Sequence, residues 1–244
     1  MQPGPPPPSR FTLLALGTPD ALDPSGRRVE ALVAQPHRLV FLTYLVHAGR
    51  PLTRTALLDL FWPDVPETRA RNALSQALHF IGRALGGHVI HGRGTEVLTV
   101  SAGMVRYDVH SLEEVAHHPT RSALGLYRGV FLEGVSIAAS NGLEDWIAGE
   151  RIRMARLARN MAMTLAKSEE AAGRVASSME AAARAVAITP LDESAQMLHI
   201  RLLAHTGHAA DALREAMRFR IRLAHELEVH PSEEFERLVN QIRG

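Results

Sequence analysis

Apolar and polar positions alternate along this chain in two manners that divide it in two. Up to about residue 108 short apolar runs, turn residues and helical spacings follow one another closely. Phe11–Gly17 (FTLLALG), bounded by Pro, Asp and Gly, reads as a strand followed by turns through Gly26, with a second short strand at Val29–Val33. Leu39, Leu42, Tyr44, Leu45 and Val46 have helical spacing, so a first helix covers Gln35–His47 and Gly49 ends it. Thr53 is placed to cap a second helix, whose Leu57, Leu58, Leu60, Phe61 and Trp62 precede the stop at Pro63. A third helix begins near Pro66 or Glu67 and runs to about Leu85, closed by Gly86 and Gly87. Two short β runs, His88–His91 and Glu96–Val100, flank Gly92-Arg93-Gly94 and predict a hairpin.

Beyond Asp108 the spacing is almost entirely helical and rich in alanine, leucine and arginine, which sets a domain boundary near 102–110. Helices are predicted at 110–117, 120–127, 143–166, 169–188, 192–206, 209–227 and 232–242, joined by short loops as in stacked hairpins. Gly173 and Gly207 lie 34 residues apart, the period of a tetratricopeptide repeat (TPR). Ala182 aligns with Ala216, Ser178 with Ala212 and Ala185 with Phe219, and Pro190 falls where such a repeat ends. The expected fold is therefore mainly α with a small β component: a winged helix-turn-helix domain at 11–103, then an all-α TPR-like helical repeat domain at 108–244. The proline-rich Met1–Arg10 reads as an extended, disordered tail.

On the third helix the period separates two faces. Leu74, Ala77, Leu78, Ile81 and Leu85 share one side, and Arg69, Asn72, Gln76, His79 and Arg83 share the other. The outer stripe contains no acid. Arginine suits guanine and phosphate, and Asn and Gln suit adenine edges, so this helix is the candidate for the major groove and the hairpin for the wing. Arg69, Asn72, Gln76 and His79 are the expected base readers; Arg54, Arg71, Arg83 and Arg93 are the expected phosphate contacts.

Charge first argues the other way and then sharpens the picture. The whole chain carries 27 basic and 26 acidic residues, a net +1, which is not the balance of a general nucleic-acid binder. Between Thr68 and Thr95, however, stand Arg69, Arg71, Arg83 and Arg93 with no Asp or Glu. The basic element is local. Lys167 is the only lysine, so arginine carries nearly all positive charge.

Other chemistries find little footing. With no cysteine there is no disulfide framework, thiolate metal site or cysteine nucleophile. The histidine pairs His88/His91, His117/His118 and His205/His208 lack a third ligand at metal spacing, so no metal and no cofactor is expected. Phosphate-cradling loops, dinucleotide fingerprints and nucleophile elbows are missing, and no catalytic residue is assigned; the chain reads as no enzyme. No apolar run approaches the ~20 residues of a membrane span, and no secretory segment is visible, so a cytoplasmic protein is expected. Trp62 and Trp146, among Leu60, Phe61, Leu143 and Ile147, read as core anchors.

HAGRPLTRTALLDLFWPDVPETRARNALSQALHFIGRALG (47–86) resembles the OmpR-like winged helix of the antibiotic regulatory protein (SARP) type of bacterial transcriptional activator. ALGLYRGVFLEG (123–134), LEDWIAGERIRMARLA (143–158), ITPLDESAQMLHIRLLAHTGHAADALR (188–214) and LAHELEVHPSEE (223–234) are similar to the bacterial transcriptional activator domain, BTAD. The resemblance implies a transcriptional regulator that binds double-stranded promoter DNA, commonly as two copies on direct repeats, and helps recruit RNA polymerase. Its helical domain would then serve homodimerisation or partner contact. Many members carry a further regulatory module, for which these 244 residues leave no room. Two departures stand out. Where the family continues with an arginine-rich turn such as SRLRRALG, this chain has His79, Phe80, Ile81 and Gly82, which removes at least one phosphate contact. Where the wing tip usually carries an aromatic, Thr95 and Glu96 stand, and Glu96 would repel phosphate. DNA binding that is weak alone and helped by a second copy or a partner follows. The rival reading is a non-enzymatic protein–protein scaffold whose winged helix has lost strong DNA binding.

Overall fold

In the computed structural model, residues 10–92, 94–136 and 140–244 are described. The proline-rich leader up to Ser9 and Arg93 lie outside them. Backbone contacts gather the chain into two units, 1–114 with 126–152, and 115–125 with 153–244.

The first unit opens with β1 (Phe11–Leu14), whose alternation buries Leu13 between half-buried Thr12 and Leu14. β1 pairs antiparallel with β2 (Asp20–Leu22), Leu13 opposite Ala21. The strand expected at Val29–Val33 is instead a helical turn, α1 (Glu30–Val33). Only Leu32 of this helix reaches the core, and Leu32 and Val33 donate their amides to the Val29 carbonyl, as a turn with one apolar contact requires. α2 (Pro36–Ala48) starts on a proline and ends at Gly49, whose φ of +59° is left-handed. Leu39, Val40, Phe41, Leu42, Thr43, Leu45 and Val46 are all buried, so α2 is the central rod of this unit rather than a surface helix.

Thr53, in the two-residue β3 (Leu52–Thr53), caps α3 (Arg54–Phe61) by accepting the Ala56 amide at 3.3 Å, as expected from sequence. α4 (Glu67–Leu85) follows, with Ala70, Leu74, Ala77, Leu78, Ile81 and Leu85 buried. Each large side chain in that stripe contributes about 1.5–3 kcal/mol to holding the helix on the core. β4 (Ile90–His91) and β5 (Val97–Val100) then pair antiparallel, Ile90 opposite Val100, which makes the expected wing. β3 joins β5 on its other side, Leu52 opposite Leu98. At the wing turn Gly92 has φ +81°, and a Cβ there would stand 1.9 Å from the Val97 carbonyl oxygen, so no other residue fits.

A strand that the periodicity does not announce, β6 (Val105–Tyr107), lies parallel to β1 and completes the sheet β2-β1-β6. It leads into α5 (Asp108–Val115). Asp108 is buried and accepts the amides of Ala15 (2.9 and 3.0 Å) and Leu16 (3.0 Å), together with an Arg128 guanidinium N–H at 3.3 Å. Burial pushes its carboxyl above the ordinary range, against the pull of these donors. The return segment 126–152 closes the unit: Trp146 meets Tyr44 at 4.9 Å and Phe131 at 5.5 Å between ring centroids, and Trp62 lies 6.0 Å from Phe41. Both tryptophans anchor the core as expected.

The second unit is helical throughout: α6 (Arg121–Leu124), α7 (Asn141–Ala171) from Arg153 onward, α8 (Val175–Ile188), α9 (Glu193–His205), α10 (Ala209–Leu227) and α11 (Glu233–Arg243). The helix expected at 169–188 is broken because α7 runs on to Ala171 and Gly173 turns the chain at φ +74°. The 34-residue period is exact at its turns. Gly173 and Arg174 donate to Glu170 and Glu169, and Gly207 and His208 to Ala204 and Leu203, the same Schellman closure twice. Ser178, Ala182 and Ala185 are buried on α8, as are Ala212, Ala216 and Phe219 on α10. The one polar member, Ser178, spends its hydroxyl on the Ala166 carbonyl at 2.8 Å. Ile200, Leu203, Ala216, Phe219, Leu223, Phe235 and Val239 form the core of this repeat stack.

Candidate nucleic-acid interface

Because the apolar stripe of α4 is buried, the opposite stripe must face solvent. Arg69, Asn72, Gln76, His79 and Arg83 are all exposed. Among the described residues none of the five has a side-chain hydrogen bond or ion pair, so their donors and acceptors face water. That is the state a groove-reading face needs before binding, since any internal partner would have to be given up.

The expected phosphate contacts are placed differently from one another. Arg71 is exposed but held by Glu67 one turn earlier, its Nη2 and Nε 2.7 and 3.0 Å from Oε1. The acid-free interval began one residue after this glutamate, so the local basic excess is smaller than the count from Thr68 suggests. Arg54, at the start of α3, donates Nε to the Thr95 carbonyl at 2.6 Å, and its own amide donates to the Glu96 carbonyl at 2.9 Å. It braces the wing against the helix-turn-helix. Arg83 is exposed in the last turn of α4, where a cation complements the helix dipole. Arg93 falls outside the described residues.

Sequence reasoning passed over Arg38. Its guanidinium lies over the Phe80 ring, 4.1 Å from the centroid. The two residues line a cleft of about 710 Å³ that also takes in Gln76, His79 and Arg83. Beside it, burial and then the charge of Arg38 hold His37 below the ordinary histidine range. Helical spacing had already placed Arg38 in the first helix, but nothing in the sequence joins it to Phe80, 42 positions away. Glu96, the feared acid of the wing, is exposed. Among the described residues no group of three or more metal-ligating side chains gathers, and no helix is long and apolar enough to cross a membrane.

A winged helix with an open polar face on its third helix, together with a stack of TPR-like helical hairpins, is an architecture used by transcription regulators. Residues 98–243 match the bacterial transcriptional activator domain family, more than half of the chain, and the chain belongs to that family. A solved structure of Mycobacterium tuberculosis EmbR, in complex with a low-affinity phosphopeptide, superposes with a TM-score of 0.67 at 20% identity. The match covers 96% of this chain, which spans 65% of the length of that structure. No curated protein matches the sequence.

Proposed function

We propose that this regulator reads double-stranded promoter DNA in the cytoplasm, with the outer face of α4 in the major groove and the wing over the adjacent backbone. In this reading Arg69, Asn72, Gln76 and His79 meet base edges, and Arg83, Arg54, Arg93 and, once released from Glu67, Arg71 meet phosphates. The observation that carries it is the outer stripe of α4: five polar side chains, none with an internal partner among the described residues. The helical repeat unit, 115–125 with 153–244, serves homodimerisation or RNA polymerase contact, and two copies on direct repeats supply the affinity that one small basic face lacks. The protein acts by binding and carries out no catalysis.

The test is a fluorescence anisotropy titration of the full chain on a duplex from its own promoter region at several salt concentrations. Binding whose logarithm falls linearly with log salt is expected. No salt-sensitive binding at any protein concentration overturns the reading. It would favour a protein–protein scaffold, towards which the Arg71–Glu67 pair and the tethered Arg54 already lean, since both reduce the charge free for phosphate.

A further inference from the structure

Phe80 occupies a place where the SARP-like pattern has arginine, and the structure shows what that exchange did to the surface. The ring is only half-buried and serves as a platform for the guanidinium of Arg38, which arrives from α2. The cation removed from α4 has thus a counterpart beside it. Among the described residues no carboxylate pairs with Arg38 or with Arg83, which lines the same cleft.

Stacking engages the face of a guanidinium and leaves its in-plane N–H donors unused. An arginine held over an aromatic ring has already lost much of its rotamer freedom, so closing its fork on an anion costs less entropy than for a free side chain. The small residues Ala31, Ser75 and Ala84 wall the cleft with the two arginines, and its volume of about 710 Å³ has room for a tetrahedral oxyanion. Gln76, His79 and Arg83 belong both to this cleft and to the outer stripe of α4. An anion seated here is therefore continuous with whatever lies along the reading face.

We infer that the cleft between α2 and α4 is a backbone-phosphate subsite, in which Arg38, set by Phe80, and Arg83 grip a phosphodiester of the DNA. The inference rests on the DNA-reading function above and adds to it a contact from outside the reading helix. It also accounts for the tolerance of Phe80: the aromatic that removes one phosphate contact orients another.

The experiment uses the full chain and the same labelled promoter duplex, with wild type, Arg38→Ala, Arg38→Gln and the double variant Arg38→Ala/Phe80→Arg. Loss of one phosphate contact makes the slope of log affinity against log salt shallower by about 0.9, with affinity several-fold lower near physiological salt. Arg38→Gln, which keeps most of the stem, should lose the same slope, and Phe80→Arg should restore it by returning the cation to α4. Unchanged slope in both single variants, beside salt-sensitive wild-type binding, overturns the subsite and leaves the DNA reading standing. Weaker binding at unchanged slope, or no rescue by Phe80→Arg, also overturns it, because a merely structural role would behave that way. Failure of wild type to bind overturns the DNA reading itself. Far-UV circular dichroism of each variant separates unfolding from lost contact, and Arg38→Gln supplies the comparison if Arg38→Ala does not fold.

Discussion

α4 and α10 are both helices of 19 residues with one buried stripe and an arginine-rich exposed side, yet those arginines are in opposite states. On α10 each has a carboxylate: Arg214 pairs with Asp211, Arg218 with Glu215, Arg220 with Glu236 and Arg222 with Glu226. On α4 only Arg71 is paired, while Arg69 and Arg83 face solvent without a partner among the described residues. α10 also leaves Met217 and Ile221 more than half exposed, and α4 exposes no large apolar side chain to that degree. Counting arginines would rank α10 as the more basic surface. Pairing reverses the ranking, because a guanidinium already bound to a carboxylate offers a phosphate little net gain.

The inner stripes of the two helices should prove alike and the outer ones different. Truncating Phe219→Ala in α10 or Leu74→Ala in α4 removes a fully buried side chain, and each should cost about 2–5 kcal/mol in urea unfolding. A loss under about 1 kcal/mol in either would mean that its helix is not packed as described. On the outer side of α4, Arg69→Ala with Gln76→Ala should weaken binding to the promoter duplex at least thirtyfold, at about 1–3 kcal/mol per base contact, while the helical circular dichroism stays unchanged. Equal affinity would refute this placement of the reading face.

Mild acid should act on each unit through a histidine that burial holds low, His37 in the first and His199 on α9 in the second. Burial holds His199 below the ordinary histidine range, against a weaker upward pull from Glu215, and its Nδ1 has no partner among the described residues. A histidine that resists protonation when folded contributes no pH dependence above about pH 6.5. Below that, the unfolded chain takes up the proton first and stability falls. His199→Gln should therefore flatten the decline of the urea midpoint below pH 6.5, and a decline as steep as wild type would exclude His199 as its source. Smallest of all should be the effects of single charges. Glu67→Gln frees Arg71 and should steepen the salt slope of DNA binding by up to ~0.9. Arg218→Ala on α10 should leave DNA affinity unchanged and stability within about 0.5 kcal/mol. A shared loss of DNA affinity in Arg218→Ala would erase the contrast between the two faces.

Much of this molecule could be read from local rules. The cap at Thr53, the stops at Gly49 and Gly86, the wing hairpin and the two faces of α4 all follow from residues within a few positions of one another. The Gly173–Gly207 period likewise repeats one turn and one buried stripe. Local rules also misled where a signal was weak. Val29–Val33 has the composition of a strand, but one buried leucine left it a helical turn, while the three residues of β6 were too few to show any period. Asp108 marks a change of composition along the chain, and nothing near it foretells its bonds to Ala15 and Leu16, 93 and 92 positions earlier.

What the sequence determined by itself, then, was the set of elements and the face each presents, because helix period, capping and turn chemistry act over a handful of residues. Only the tertiary structure decided which cations are free to work. Arg54 is tied to a carbonyl 41 positions away and Arg38 is parked on a ring 42 positions away, so their availability depends on how distant segments close on one another.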